Sequence, residues 1–265
     1  MNIKSLGTAI NSARSQSFGR RVYCIESTTG KYWIKQQLTH VNAEYERGFL
    51  NELEMYSRLN ALESSDHSFL SNFSILDIRN DDQTQSVYLG QQLCVEHTDA
   101  LFVEHPQFMA FSQVICILKQ SLDVLENLHE LGFIHGDLKV EHFRQQSERL
   151  CLIDFEQTCH LDDVKHMQNT ATPRYMAPEL FHAQPKSVQT DLYALGIIWL
   201  EWLTQEKLQA KSYQDWAFLH CQDLKIELVP KFYALNEILN LLLMKKKQVR
   251  CTNIYQIKQL LSKIG

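Results

Sequence analysis

Residues 131–156, LGFIHGDLKVEHFRQQSERLCLIDFE, carry two carboxylates whose spacing could do chemistry: Asp137 in HGDLKVEH and Asp154 in LIDF. A polar turn (RQQSER) and an apolar run (LCLI) of the length of one short strand separate them. A loop, a strand and a second loop let one acid face a nucleophilic hydroxyl while the other reaches a cation on a phosphate chain. Phosphoryl transfer asks these two things of a protein, because its catalysis is mostly positioning and charge neutralisation.

The rest of the chain must supply the scaffold. Its 265 residues suffice for one large domain, or two lobes sharing a cleft, with a substantial core. A net charge of -5 gives no bulk attraction for nucleic acid or anionic lipid. The 7 cysteines are scattered, odd in number and form no CxxC pair, so reduced, mostly buried thiols and a reducing cytoplasm are expected rather than disulfides or zinc. The opening MNIKSLGTAINSARSQS lacks the apolar core of a secretory signal. LYALGIIWLEWL (192–203) is too short to span a bilayer and contains Glu201, so it reads as a helix buried on all sides, and no membrane span is expected.

Residues 1–17 read as a flexible lead-in or a first strand. SFGRRVYCIESTTGKYWIKQQL then reads as two alternating strands joined at STTGK, with Gly30 in the turn. FLNELEMYSRLNAL (49–62) has apolar residues at helical period. Residues 73–79 and 86–95 flank the polar turn NDDQTQ and read as a second hairpin, and TDALFVEHPQ (98–107) as a short capped helix. A long amphipathic helix is expected over 108–131, ended by Gly132 at its C′ position, and three more helices over 213–221, 232–244 and 252–264. Lys245–Lys247 read as a solvated charge run.

Taken in order, these motifs resemble the eukaryotic-type Ser/Thr protein kinases over residues 18–262. HGDLKVEH is similar to the catalytic loop, DFE to the metal-binding tripeptide, YWIK to the strand bearing the phosphate-holding lysine, TPRYMAPEL to the end of the activation segment, and LLLMKKKQVRCT to the closing motif. The resemblance implies an α+β bilobal fold: a small antiparallel sheet with one main helix over residues 1–94, and a mainly helical lobe over 95–265. It implies transfer of the γ-phosphoryl group of ATP to Ser or Thr of a protein. Asp137 would orient the attacking hydroxyl, Lys139 would neutralise the transferring group, and Thr172 would bond to both. Gly19 and Val22 would be the surviving members of the phosphate-covering loop. Lys35 would hold the α- and β-phosphates, fixed by Glu52, whose spacing to Tyr56 and Leu59 copies the family's helix; Glu44 and Glu54 are its rivals. Asp154 would ligate magnesium. Adenine would meet backbone within Leu89–Cys94, Glu179 would pair with Arg250, and Asp191 would bond the catalytic-loop backbone.

The chain also departs from the family. Trp33 stands where alanine floors the adenine pocket, and Glu156 where the tripeptide has glycine, which should make large flips of that segment harder. His142 stands where asparagine would bind a second metal; imidazole there would tune the site toward manganese. Gly136 replaces the arginine that would receive a phosphate on the activation segment, which implies little dependence on phosphorylation. Two other readings stay open. YWIKQQ, the NELE helix and HGDLxxxHF also resemble bacterial kinases of lipopolysaccharide-core sugars, against which TPRYMAPE argues, and a pseudokinase would use the same fold as a binding module.

Overall fold

In the computed structural model, residues 6–28, 30–62, 69–78, 88–146, 149–166 and 170–265 are described. The chain divides into two compact units, Met1–Ser65 with Leu70–Asp99 and Ile153–Glu156, and Asp66–Phe69 with Ala100–Leu152 and Gln157–Gly265.

Of the stretch read as a lead-in or first strand, residues 6–12 carry no helix or strand and 13–17 form a short helix. Ser12 accepts a hydrogen bond from the Ser15 amide and so caps α1 (Ala13–Ser17). Strands β1 (Arg20–Ser27) and β2 (Gly30–Gln37) form the expected hairpin, with Val22 opposite Lys35. Helix α2 (Ala43–Leu62) starts before the apolar period does, because the Asn42 side chain accepts from the Glu44 and Tyr45 amides. It buries Phe49, Leu53, Tyr56 and Leu59, together with the carboxylate of Glu52. Strands β3 (Phe73–Asp77) and β4 (Gln91–Glu96) are antiparallel, and the sheet runs β1-β2-β4-β3. The connecting turn NDDQTQ lies outside the described residues. A core of Tyr23, Ile34 and Cys94 sits against this sheet.

TDALFVEHPQ is not the helix its composition suggested. It forms a two-residue strand β5 (Asp99–Ala100) and a 3-10 turn at Pro106–Phe108, capped by His105 Nδ1 accepting from the Gln107 amide. That turn delays α3 (Phe111–Glu130), which buries Val114, Leu118, Leu122, Leu125 and Leu128. Gly132 follows at φ +82, where any Cβ would lie 2.6 Å from His160 Nε2. Short strands then punctuate the second unit: β6 (Phe133–Ile134), β7 (Phe143–Gln146), β8 (Arg149–Leu152) and β9 (Cys159–His160). β7 and β8 are an antiparallel hairpin, and β6 pairs with β9.

Helix α4 (Val188–Thr204) is buried from Thr190 to Leu203, as its all-round apolar sequence requires. Gly196 lets it approach its neighbour closely, since a Cβ there would stand 2.9 Å from Leu242 Cβ. Helices α5 (Tyr213–Phe218, continued by a π-type turn to Asp223), α6 (Asn236–Leu242) and α7 (Ile254–Ile264) complete the unit. Among the described residues no helix is long and apolar enough to cross a membrane.

Candidate functional site

In the first unit the chemistry-bearing residues gather on Lys35. The β1–β2 hairpin brings Lys35 to the face of α2, and Lys35 Nζ lies 2.7 Å from Glu52 Oε2, 2.8 Å from Asp154 Oδ1 and 2.5 Å from Glu156 Oε1. Of the three acids the sequence offered as a partner for Lys35, the helix turns Glu52 inward. The DFE segment supplies the other two carboxylates and is tied down twice. Phe155 meets Tyr56 edge-on at 5.0 Å, and Asn51 Nδ2 donates to the Glu156 carbonyl at 3.0 Å.

A second cation joins the cluster. Arg20 is only 3% exposed; its guanidinium donates to Glu156 Oε1 (2.5 Å), Gln37 Oε1 (3.0 Å) and the Tyr45 carbonyl (3.2 Å), and lies over the Phe49 ring. Two glycines make room. A Cβ on Gly48 would come within 3.0 Å of Glu156 Oε2, and one on Gly19, at φ +87, within 2.6 Å of Gln37 Nε2. Gly19 and Val22 thus sit beside this network, Gly19 against Gln37 and Val22 across from Lys35. Trp33, two residues before Lys35, packs on His97 with ring centres 4.6 Å apart and the rings tilted by 49°.

Three acids against two bases leave one negative charge in excess. Burial opposes the charge on Lys35, yet Asp154, Glu156 and Glu52 outweigh it and its pKa is raised. Glu52 bears the surplus: burial first, then repulsion from Asp154 and Glu156, push it from 4.5 up to about 7 against the pull of Lys35. Glu52, Asp154 and Glu156 each offer an oxygen, all within 4.8 Å of one another, a donor set suited to a hard divalent cation.

The second unit carries the other half of the motif set. Asp137 Oδ1 accepts from the Thr172 backbone amide at 2.6 Å, and Oδ2 lies 3.0 Å from Lys139 Nζ. The expected Thr172 bond to the aspartate is therefore made by its main chain. Asp191, at the head of α4, holds the loop: its carboxylate accepts from the amides of His135 (2.8 Å) and Gly136 (2.9 Å) and meets His129 Nε2 at 3.0 Å. Burial would raise the Asp191 pKa, and these partners more than offset it, so it is held below the usual carboxylate range. His142 is buried and stacked on His135 at 5.2 Å, and belongs to no cluster of three or more ligating side chains among the described residues.

TPRYMAPEL is held by two bidentate ion pairs. Arg174 grips Glu201 (2.7 and 2.9 Å), and Arg250 grips Glu179 (2.7 and 2.9 Å) with both partners of the second pair buried. Glu201, one of the two grounds on which the sequence argued against a membrane span at 192–203, thus has its counter-ion in TPRYMAPEL.

Sequence reasoning did not find Arg20, the Glu156 contacts or Lys186, a buried lysine whose Nζ donates to Gln157 Oε1 at 3.1 Å. The visible signals were the departures at positions 156 and 136, each a place where the usual residue had been exchanged for one that demands or vacates a partner.

Both half-sites stand on one family's motifs, and comparison with known proteins agrees. The model of the protein kinase domain matches residues 16–263, so the chain belongs to the protein kinase family and has its α+β fold. Among curated relatives, it is similar to the serine/threonine-protein kinase PLK2 of Mus musculus, 26% identical over 117 residues that cover 43% of this chain and 17% of that protein. It is likewise similar to the serine/threonine-protein kinase pakC of Dictyostelium discoideum, 32% identical over 96 residues (35% of this chain, 20% of pakC). A putative tyrosine-protein kinase of Caenorhabditis elegans is 28% identical over 159 residues, 57% of this chain and 47% of the relative. The matched stretches span less than half of each of these relatives.

Proposed function

We propose that this protein transfers the γ-phosphoryl group of ATP to serine or threonine hydroxyls of a protein, in a reducing cytoplasm. The observation that carries the reading is the Asp137 carboxylate, fixed by the Thr172 amide on one oxygen and Lys139 on the other. A carboxylate so held orients an attacking hydroxyl and takes up its proton, while the lysine beside it neutralises the moving phosphoryl group. Lys35 grips the nucleotide's α- and β-phosphates, with Glu52 as its positioning partner. Asp154, with oxygen donors of Glu156 and Glu52 within reach, would hold magnesium or manganese, which would supply charge neutralisation at the phosphates. A protein rather than a sugar acceptor is favoured by TPRYMAPEL, whose Tyr175 is buried and whose neighbours are pinned by the Arg174–Glu201 and Arg250–Glu179 pairs.

A pseudokinase reading is favoured by one observation, that Lys35 already carries three carboxylates. Incubation with labelled ATP and magnesium or manganese, alongside Asp154→Ala, separates the two. Phosphate incorporation by the wild type and its loss in the variant is the expected result; equal silence of both with either metal, and no nucleotide binding, rules out the enzyme.

His142→Asn tests the second metal position. As a ligand, His142 would favour manganese, so the asparagine variant should use magnesium better relative to manganese. An unchanged metal preference would count against His142 as a ligand.

A further inference from the structure

The loop that presents Asp137 has no side chain at the residue before it. Gly136 adopts φ +78, and a Cβ there would lie 2.5 Å from the Gln157 carbonyl oxygen and 3.2 Å from both Cδ and Nζ of Lys186. The space is therefore filled from another part of the chain. Lys186 is 2% exposed, and its ammonium donates to Gln157 Oε1, which also accepts from the Thr170 hydroxyl at 2.9 Å. Among the described residues its hydrogen-bond partner is this neutral carboxamide.

A buried ammonium with a neutral partner is an expensive way to fill space, since a methionine of similar length would do so with no charge to desolvate. Its place against the Gly136 backbone, next to Asp137, suggests what the charge is for. Burial lowers the Lys186 pKa; Asp137 acts most strongly in the other direction, followed by the Cys159 thiol and Asp191. Cys159 is itself pushed up to about 11 and carries no charge near neutrality. Asp191 is already satisfied by His129 and two amides. That leaves Asp137, the residue that follows the Gly136 backbone against which the Lys186 ammonium packs, beside its own contacts to Lys139 and the Thr172 amide.

We propose that Lys186 is a positioning residue for Asp137: entering through the space left by Gly136, it supplies the loop with a positive charge that its own sequence lacks there. It holds the Asp137 carboxylate as an oriented anion without touching substrate. The inference rests on the reading of Asp137 given above for its consequence in catalysis, but the electrostatic link can be measured apart from activity.

The test is the carboxyl titration of Asp137, followed by NMR in protein labelled with 13C at aspartate and assigned by comparison with Asp137→Asn. In Lys186→Met the Asp137 titration should move up by about one pH unit. The melting temperature should stay level or rise, because a buried charge has been removed. The acid limb of the pH–rate profile should move up with the titration. Lys186→Gln, which retains a polar link to Gln157, should show the same shift and serves if the methionine variant fails to fold. An Asp137 titration unchanged in the folded variant overturns the proposal, and lost stability with no such shift would make Lys186 purely structural. Absence of phosphoryl transfer in the wild type would instead sink the proposed function, leaving the NMR titration to decide the role of Lys186.

Discussion

Replacing Arg250 by alanine is expected to remove about 3–5 kcal/mol of stability, the usual cost of breaking a buried ion pair from one side. Both side chains are nearly sealed from water, with Arg250 3% and Glu179 4% exposed. The guanidinium also donates to the carbonyls of Met244 (2.8 Å) and Gln189 (3.0 Å), and its carbon lies 4.8 Å from the centre of the Tyr193 ring. Alanine would leave Glu179 charged and without its counter-ion, together with two carbonyls short of a donor. Adding Glu179→Gln should recover part of the loss by removing the stranded charge. Urea denaturation of the four proteins of this cycle gives the answer. A loss below about 1 kcal/mol in Arg250→Ala would mean that water reaches Glu179 and that the pair is surface-like in its energetics.

The second large effect belongs to Arg20. Arg20→Met leaves Glu52, Asp154 and Glu156 facing Lys35 alone, two negative charges in excess where there had been one. A loss of about 3 kcal/mol at neutral pH follows from stripping Glu156 of its buried cation. The pH dependence has a definite sign. Glu52 titrates at about 7 in the folded protein against 4.5 ordinarily, so the folded state binds more protons between those values. Its contribution to stability is fully present below about 4.5 and is lost as pH rises through 7. The deficit of Arg20→Met should therefore shrink as pH falls from 7 toward 5, when a carboxyl of the cluster can take up a proton. The double variant Arg20→Met, Glu156→Gln should regain most of the loss at neutral pH. Melts showing the same deficit at both pH values, or a double variant weaker than either single one, would refute the shared-charge account.

What could be read in advance, and what could not, divides along a physical line. Lys35 with Glu52, Glu179 with Arg250, and Asp191 with the loop amides are contacts that the family resemblance implied, because the motifs that carry them were visible in the sequence and in order. The regular elements were legible in the residues themselves: α4 and α3 announced themselves by their apolar pattern. Turn chemistry misled at 98–107, where Pro106 and the His105 cap produce a 3-10 turn instead of a helix. The contacts of Arg20, Glu156 and Lys186 were illegible because each joins a substituted position to a residue distant in sequence. Glu156 is matched by Arg20 and by the bare backbone of Gly48, and Gly136 by Lys186. A sequence displays the exchange at one position but not which remote residue answers it.

The division of the chain has a practical consequence. Ile153–Glu156 belongs with the sheet and α2, while Phe69, whose carbonyl accepts from the Leu152 amide at 2.8 Å, belongs with the helical unit. A polypeptide ending at Asp99 would keep Lys35, Glu52 and Arg20 but forfeit the two carboxylates that neutralise them, turning a net-negative cluster into a net-positive one. The complementary piece would retain an orphaned DFE segment. Splitting this protein for reconstitution, or grafting one half onto another scaffold, therefore requires a tetrapeptide to be carried across the cut.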